Sequence, residues 1–466
     1  MKFGGASLAD GKLFSRACDI IQNSLAEKPI VVVSAMMGVT DILVDWLDKA
    51  VITGNDDLDS PFEDLKKLHE NAIWEVVDKP EIRTKVIFHV NRGLLRLERM
   101  LSSIACLREC SKRTRDHILA FGERFSTHIL AAALACRDIG VSQVDGEDII
   151  VTDENYGLST PVFDESCKKI KTLINKLTGE NRIAVIMGFV GASKNGTTTT
   201  LGRGGTDLTA SLVANCMDAT ELIFYKEVDG VMSADPKYVT DSKLISALTY
   251  REVSELSFFG AKILHPVAIR PLREKGIPVS IRNFLTPDVV GTKIVESVEA
   301  RAHIAQAISS LSEVSVITIA GGGLLGNPSI AGRVFSIVAD AGKEILMISQ
   351  SSSEQNISFA VRTEESETCM ALLNTGLELD MHKGYVDDIR CKKGLSIVSV
   401  VGQRLVGDIA CFGSVLASLA EQGVKVHLVA NGLADINMSF VVSTEALQDI
   451  IRHLHTLLNM GTEKHE

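Results

Sequence analysis

Six segments of this sequence carry residue types that can bind charged groups. The first is Lys2-Phe3-Gly4-Gly5-Ala6-Ser7. Paired glycines let backbone N–H groups approach an anion closely and Lys2 adds a point charge, although the same string also reads as a simple turn. The second is Val32-Val-Ser34-Ala-Met-Met-Gly-Val-Thr40-Asp41, an apolar strand that ends in small and hydroxyl residues before a helix. Ligands of open α/β sheets bind at such strand ends, and Thr40 is equally suited to cap the helix. The third is Phe121-Gly-Glu123-Arg-Phe-Ser126. Glycine in a helical pattern costs about 1 kcal/mol against alanine, so close packing or a ligand is expected there. Glu123 is either the partner of an ammonium group or a solvated surface carboxylate.

The fourth segment is the most specific: Leu201-Gly-Arg203-Gly204-Gly205-Thr206-Asp207, ahead of the helical run Leu208–Met217. Thr206 or Asp207 can cap that helix. Capping does not explain Arg203, whose guanidinium beside a Gly-Gly helix start suits bidentate capture of a carboxylate or phosphate. The fifth runs from Lys226-Glu227-Val228-Asp229-Gly230 through Met232 to Asp235-Pro236-Lys237, with Asp-Gly and Asp-Pro as turn signals. In the sixth, Phe259-Gly-Ala-Lys262-Ile-Leu-His265-Pro266, Lys262 can reach a phosphate, and His265 before proline reads as structural.

These groups need a frame. Short β-branched runs at Ile30–Ala35, Ile183–Phe189, Glu221–Tyr225 and Pro278–Arg282 read as buried parallel strands. Amphipathic stretches at Leu13–Leu25, Asp41–Val51, Pro61–Leu107 and Arg113–Arg137 alternate with them, which predicts an α/β layered domain over 1–290 ending near Pro287–Gly291. The remainder is a duplication. Val316-Ile-Thr-Ile-Ala-Gly321 matches Ile397-Val-Ser-Val-Val-Gly402, 81 positions on, and the same ungapped offset pairs Gly326 with Gly407, Asn356 with Asn437 and Phe359 with Phe440. Each copy, 300–380 and 390–466, reads as a small α+β sandwich. Gly321-Gly-Gly323-Leu-Leu-Gly326 imitates a dinucleotide fingerprint, but the second copy lacks the middle glycine and each unit is too short for that fold.

Composition narrows the function. Of 466 residues, 45 % are apolar and 23 % charged, ordinary for a globular chain, and a net charge of −11 argues against a nucleic-acid-binding surface. Nine unpatterned cysteines suggest reduced thiols, and Cys106/Cys110 without a nearby histidine makes a poor zinc site. No apolar run of about 18 residues predicts a membrane span, and no signal peptide is seen. A cytoplasmic location is expected, or a plastid one if residues upstream of Met1 were trimmed.

The six segments, in this order, closely resemble aspartate kinase, of the amino-acid kinase (carbamate-kinase-like) three-layer fold. The repeat resembles the tandem ferredoxin-like ACT domains that follow it. The resemblance implies ATP-dependent phosphorylation of the L-aspartate β-carboxylate with Mg²⁺, the first step of lysine, threonine and methionine biosynthesis. By this likeness Lys2 contacts the transferring phosphoryl group and Asp207 organises Lys2 and the substrates. Arg203 clamps the α-carboxylate with Thr206 beside it. Ser34, Thr40, Glu123, Gly204 and Gly205 complete the aspartate pocket, Glu123 on the amino side. Phe3, Gly4, Gly5, Ser7, Lys226, Glu227, Met232, Lys237 and Lys262 join Lys2 around ATP. No residue is assigned as a metal ligand. An ionised carboxylate needs no general base, so no catalytic histidine or cysteine is expected.

Four departures fall on the start and the nucleotide side: a single residue before Lys2, which puts the first strand in doubt; Tyr225-Lys226-Glu227 where Thr-Asp-Val is frequent; Met232 for tyrosine; and Lys237 for arginine. Ile348-Ser-Gln350-Ser-Ser-Ser-Glu-Gln-Asn356 resembles the effector loop of threonine-sensitive relatives, so Gly326, Gln350 and Asn356 are expected to bind an amino acid, threonine rather than lysine. A homodimer or higher homo-oligomer formed through the ACT domains is expected. With the chain ending at Glu466, no dehydrogenase domain is expected in it. Two other readings are open: another amino-acid kinase, and a catalytically impaired amino-acid sensor.

Overall fold

The computed structural model describes residues 1–54, 59–260, 264–298, 305–324, 327–350, 355–403, 405, 408–431 and 436–458. Its contacts divide into two compact units. The first comprises Met1–Val231, Ser246–Tyr250 and Leu264–Val298; the second comprises Met232–Ile245, Arg251–Ile263 and Glu299–Glu466.

The first unit holds strands β1 (Lys2–Phe3), β2 (Val31–Val33), β3 (Val141–Val144), β4 (Val151–Thr152), β5 (Ile183–Met187) and β6 (Val190–Ser193). It continues with β7 (Thr198–Thr200), β8 (Leu222–Lys226), β9 (Ala247–Thr249), β10 (Val279–Asn283) and β11 (Thr292–Val295). Among the described residues, eight of these form one sheet in the order β3-β5-β2-β1-β8-β10-β11-β9, and β4, β6 and β7 form a second. The doubtful first strand exists. It has two residues, yet it lies in the sheet centre, parallel to β2 through Lys2↔Val32 and to β8 through Lys2↔Phe224.

Helices α1 (Gly11–Asn23), α2 (Val39–Ile52), α3 (Asp59–Val76), α4 (Pro80–Leu107) and α5 (Lys112–Cys136) come first. They are followed by α6 (Gly146–Ile149), α7 (Phe163–Gly179), α8 (Gly205–Cys216), α9 (Tyr250–Phe258, mostly in the second unit) and α10 (Pro266–Lys275). Phe3, Val31, Val33, Val185 and Tyr225 share a core with α1, α2 and α5. The alternate residues Val32, Ile186 and Phe224 are also buried and point to the other face, where α7, α8 and α10 pack together. The result is three layers. The amphipathic stretch over Pro61–Leu107 holds two helices, α3 and α4. Pro80 at the first turn of α4 holds Lys79 extended at ψ 115 and cannot continue α3. The unit also outlasts the expected boundary at Pro287–Gly291, because β11 pairs antiparallel with β10. Among the described residues one helix, α5, is long and apolar enough to cross a membrane, and most of its apolar stretch is buried.

Seven cysteines are free thiols and two depart from that expectation. Cys167 on α7 and Cys216 at the end of α8 form a disulfide, with Cα atoms 5.1 Å apart. Helix packing brings them together across 49 positions, a distance that spacing along the sequence does not reveal.

The second unit contains β12 (Ala305–Ala320), α11 (Pro328–Asp340), β13 (Met347–Gln350), β14 (Asn356–Arg362), α12 (Thr363–Gly376) and α13 (Glu378–His382). Then follow β15 (Asp388–Gly402), α14 (Ile409–Glu421), β16 (Leu428–Asn431), β17 (Asn437–Ser443) and α15 (Leu447–Leu457). The duplication extends to side chains. Ser315–Thr363 and Thr318–Ser358 are hydroxyl pairs at 2.9 Å, and Ser396–Thr444 and Ser439–Ser399 repeat them at 2.9 Å. The copies are interleaved. The first half of β12 pairs with β15 in the second copy, through Ser309↔Ser399, and the start of β15 returns to the first copy, through Cys391↔Ile317. Residues 232–245 also belong here: the Ser233 hydroxyl meets His455 Nε2 at 2.9 Å. Two of the fingerprint-like glycines, Gly321 and Gly323, serve packing, since a Cβ there would lie 2.3 Å from Tyr385 O and 2.4 Å from Tyr385 Cα.

Candidate active site

At the C-terminal ends of β1, β2 and β7 lies a cleft of about 670 Å³ lined by Lys2, Ser34, Thr40, Glu123 and the whole run Gly202–Asp207. Lys2 follows from the central two-residue strand. Its ammonium lies 2.7 Å from Asp207 Oδ1, with both side chains nearly buried. The ammonium is the partner of Oδ1 in a close, nearly buried ion pair. Burial pushes the Asp207 carboxyl up, but the Lys2 and Lys226 charges outweigh it and hold the group below the usual range. Lys226, at the end of β8, is pushed down to about 8 by burial, against the pull of Asp207 and with the push of Lys2.

The N-cap of α8 is Gly204 in the left-handed region at φ 73, with no side-chain cap. Thr206 and Asp207 therefore lie inside the first turn, free for other contacts. Thr206 Oγ1 stands 3.3 Å from Ser34 Oγ, tying α8 to the end of β2. A Cβ on Gly204 would lie 2.3 Å from His265 Cβ, so His265 packs against this turn. Arg203 is exposed at the cleft wall and holds no ion pair among the described residues. Gly38 caps α2, again without a side chain, which leaves Thr40 in the first turn and facing the cleft.

Glu123 is 3 % exposed, and its Oε2 has no partner among the described residues. Burial pushes its carboxyl up to about 7, opposed by hydrogen bonds from the Ala35 and Glu123 backbone and by the Lys2 charge. Close packing at Gly122, where a Cβ would lie 2.8 Å from Ala35 Cβ, brings α5 against the end of β2. A buried carboxylate with a spare oxygen in such a cleft favours a cation.

The residues assigned to a nucleotide separate into groups. Phe3 is fully buried and stacks on Tyr225 at 4.9 Å, so its side chain is a core contact. Ser7 is buried and donates to Tyr225 O at 3.3 Å. Gly4 and Gly5 form the turn after Lys2, and Gly5 approaches so closely that a Cβ would lie 2.9 Å from Ala35 O. Glu227 is exposed after β8. Met232, bridged to Leu244, and Lys237, whose backbone N–H donates to Asp235 at 2.9 Å, belong to the second unit. Lys262 and Gly326 lie outside the described residues. Gln350 and Asn356 are exposed at the facing ends of β13 and β14.

Two cleft residues escaped the sequence reading. Phe189 has φ 70, a strained value for an aromatic residue, and packs where a Cβ on Gly205 would lie 2.8 Å from its Cδ2. Asp116 is fully buried, and nothing in its local sequence marks it. Among the described residues no group of three His, Cys, Asp or Glu could hold a metal.

Similar proteins identify the family. The amino acid kinase family model matches residues 1–283, and an ACT domain model matches 317–377 and 398–458. Aspartokinase 1, chloroplastic, of Arabidopsis thaliana is 30 % identical over 466 residues, covering 98 % of this chain and 79 % of that protein. The bifunctional aspartokinase/homoserine dehydrogenase of Buchnera aphidicola is 28 % identical over 98 % of this chain, which spans 56 % of that relative's length. The crystal structure of E. coli aspartokinase III with aspartate and ADP superposes at a TM-score of 0.84, covering 98 % of this chain and 99 % of that one; at 23 % identity this shows a shared fold. By the match over most of its length, the chain belongs to the amino acid kinase family, among the aspartokinases that carry ACT domains.

Proposed function

We propose that this chain phosphorylates the β-carboxylate of L-aspartate with ATP, giving 4-phospho-L-aspartate, at the head of lysine, threonine and methionine biosynthesis. The observation that carries this is that Lys2 and Arg203 line one cleft together with Glu123. Aspartate presents two carboxylates and an ammonium. Arg203, with the open turn at Gly204 and Gly205, suits the α-carboxylate; Ser34, Thr40 and Thr206 offer hydroxyls beside it. Glu123 suits the ammonium, whose arrival holds the Glu123 carboxylate ionised. The β-carboxylate, with an ordinary pKa of about 3.9, is already a nucleophile at neutral pH. The barrier is then the approach of two anions, which Lys2 and Lys226 lower by offsetting charge where it gathers. Asp207 keeps both cations oriented toward that point.

The triphosphate fits the same end of the cleft, where Lys2, Lys226 and the Gly4-Gly5 turn supply cations and close backbone approach. Magnesium entering with ATP would supply further neutralisation of phosphate charge beside the Lys2–Asp207 pair. Gln350, Asn356 and Gly326 form the reading of an effector position in the first ACT copy. Threonine remains favoured over lysine there. A homodimer through the ACT copies and a cytoplasmic or plastid location complete the proposal.

A coupled assay for acyl phosphate with aspartate, with glutamate and with no acceptor tests it. Turnover with aspartate alone is expected. Equal turnover of glutamate, or effector binding without any turnover, would replace this reading by another amino-acid kinase or by a sensor.

A further inference from the structure

Asp116 lies on α5 seven residues before Glu123, so both face the cleft two helical turns apart. Its carboxylate is satisfied by three donors. Oδ2 accepts the backbone N–H of Gly157 and of Thr200, each at 2.9 Å, and Oδ1 accepts the Thr200 hydroxyl at 2.8 Å. Such bonds to a charged acceptor are strong and geometrically demanding. The two strips that Asp116 holds converge on the next turn of chain. A Cβ on Gly202 would lie 2.6 Å from Leu158 Cδ1 and 3.3 Å from Gly157 O. Gly202 and Gly204 both adopt the left-handed region, at φ 71 and φ 73, and Arg203 sits between them. Among the described residues no protein group fixes the guanidinium, so its direction follows from the backbone beneath it.

We propose that Asp116 is a positioning residue for substrate recognition: by clamping Gly157 to Thr200 it sets the Gly202–Gly204 turn, and so aims Arg203 at the α-carboxylate of the amino-acid substrate. This rests on the role given to Arg203 above. Asp116 touches no reacting atom. Its negative charge, in a cleft for anions, is spent on its three donors rather than offered to substrate.

The test is steady-state kinetics on full-length Asp116→Asn, Thr200→Val, Arg203→Ala and the double variant Asp116→Asn/Arg203→Ala. Arg203→Ala first checks the underlying role: an unchanged KM for aspartate would overturn that reading and leave the clamp without an object. Given a raised KM there, Asp116→Asn is expected to raise KM for aspartate about tenfold, with KM for ATP nearly unchanged, and Thr200→Val about threefold, since it loses one bond of three. In the Arg203→Ala background Asp116→Asn should add almost nothing to KM. Equal rises in both KM values, full additivity in the double variant, or a lowered melting temperature with unchanged KM would each overturn the proposal. If Asp116→Asn does not fold, Thr200→Val combined with Arg203→Ala supplies the same cycle, with additivity again the contrary result.

Discussion

The Lys2 ammonium and the Asp207 carboxylate meet at 2.7 Å, although the residues lie far apart along the first unit of the chain. One comes from the central strand β1, the other from the first turn of α8. Sheet order makes the contact possible: β1 pairs with β8, and α8 packs over β2 and β8. Breaking such a buried pair by removing one partner costs about 3–5 kcal/mol, because the other charge is left alone. Lys2→Met should therefore lower kcat by about 10²–10³, with a smaller change in KM for aspartate, and should lower thermal stability. Initial rates and a melting curve check both parts.

Glu123 makes the pH dependence specific. Its folded-state value near 7 lies above its ordinary 4.5. A raised carboxyl contributes stability that is fully present below the unfolded value and is lost as pH rises through the folded one. Between pH 4.5 and about 7 the unliganded protein should thus lose this contribution, and Glu123→Gln should flatten that part of the stability profile. Substrate binding near pH 6 should release a proton, because an ammonium favours the ionised carboxylate. Calorimetry in buffers of different ionisation enthalpy reads this, and Glu123→Gln should abolish it while weakening aspartate.

Gly204 meets two demands at once: a left-handed backbone and the close approach of His265. Alanine there would cost about 1–2 kcal/mol for the backbone and more for the overlap. Gly204→Ala is expected to lower the melting temperature and raise KM for aspartate, whereas alanine at Gly196, also left-handed but with open space, should cost only the backbone part.

The two ACT copies make different contacts at equivalent positions. Asn356 is exposed and its side chain makes no hydrogen bond among the described residues, while its counterpart Asn437 donates to Glu255. An amino-acid effector should therefore respond to Gln350→Ala and Asn356→Ala more than to Asn437→Ala. Titration of threonine and lysine against activity and thermal shift checks this. Inhibition by lysine with no response to threonine would reverse the effector assignment.

Much of this site was legible because certain residues resist a bland explanation. Arg203 beside two glycines could not be a helix cap, and the duplicated Asn356 and Asn437 shared one offset with their flanking strands. What escaped depends on contacts between distant segments. Phe3 sits inside the most suggestive motif, yet strand alternation turns its ring into the core while Lys2 faces the cleft. Asp116 looks like any polar residue on a long helix until Thr200 and Gly157 arrive from 84 and 41 positions away. The Cys167–Cys216 bridge was hidden in the same manner, by the packing of α7 on α8.

The most direct measurement is hydroxylamine trapping of the acyl phosphate from aspartate and ATP, run on the unaltered protein and on Lys2→Met. The account predicts saturable formation of the β-hydroxamate by the unaltered protein and a loss of about two orders of magnitude or more in the variant. Undiminished product without the Lys2 ammonium, or no product from a folded chain that binds both substrates, would contradict it.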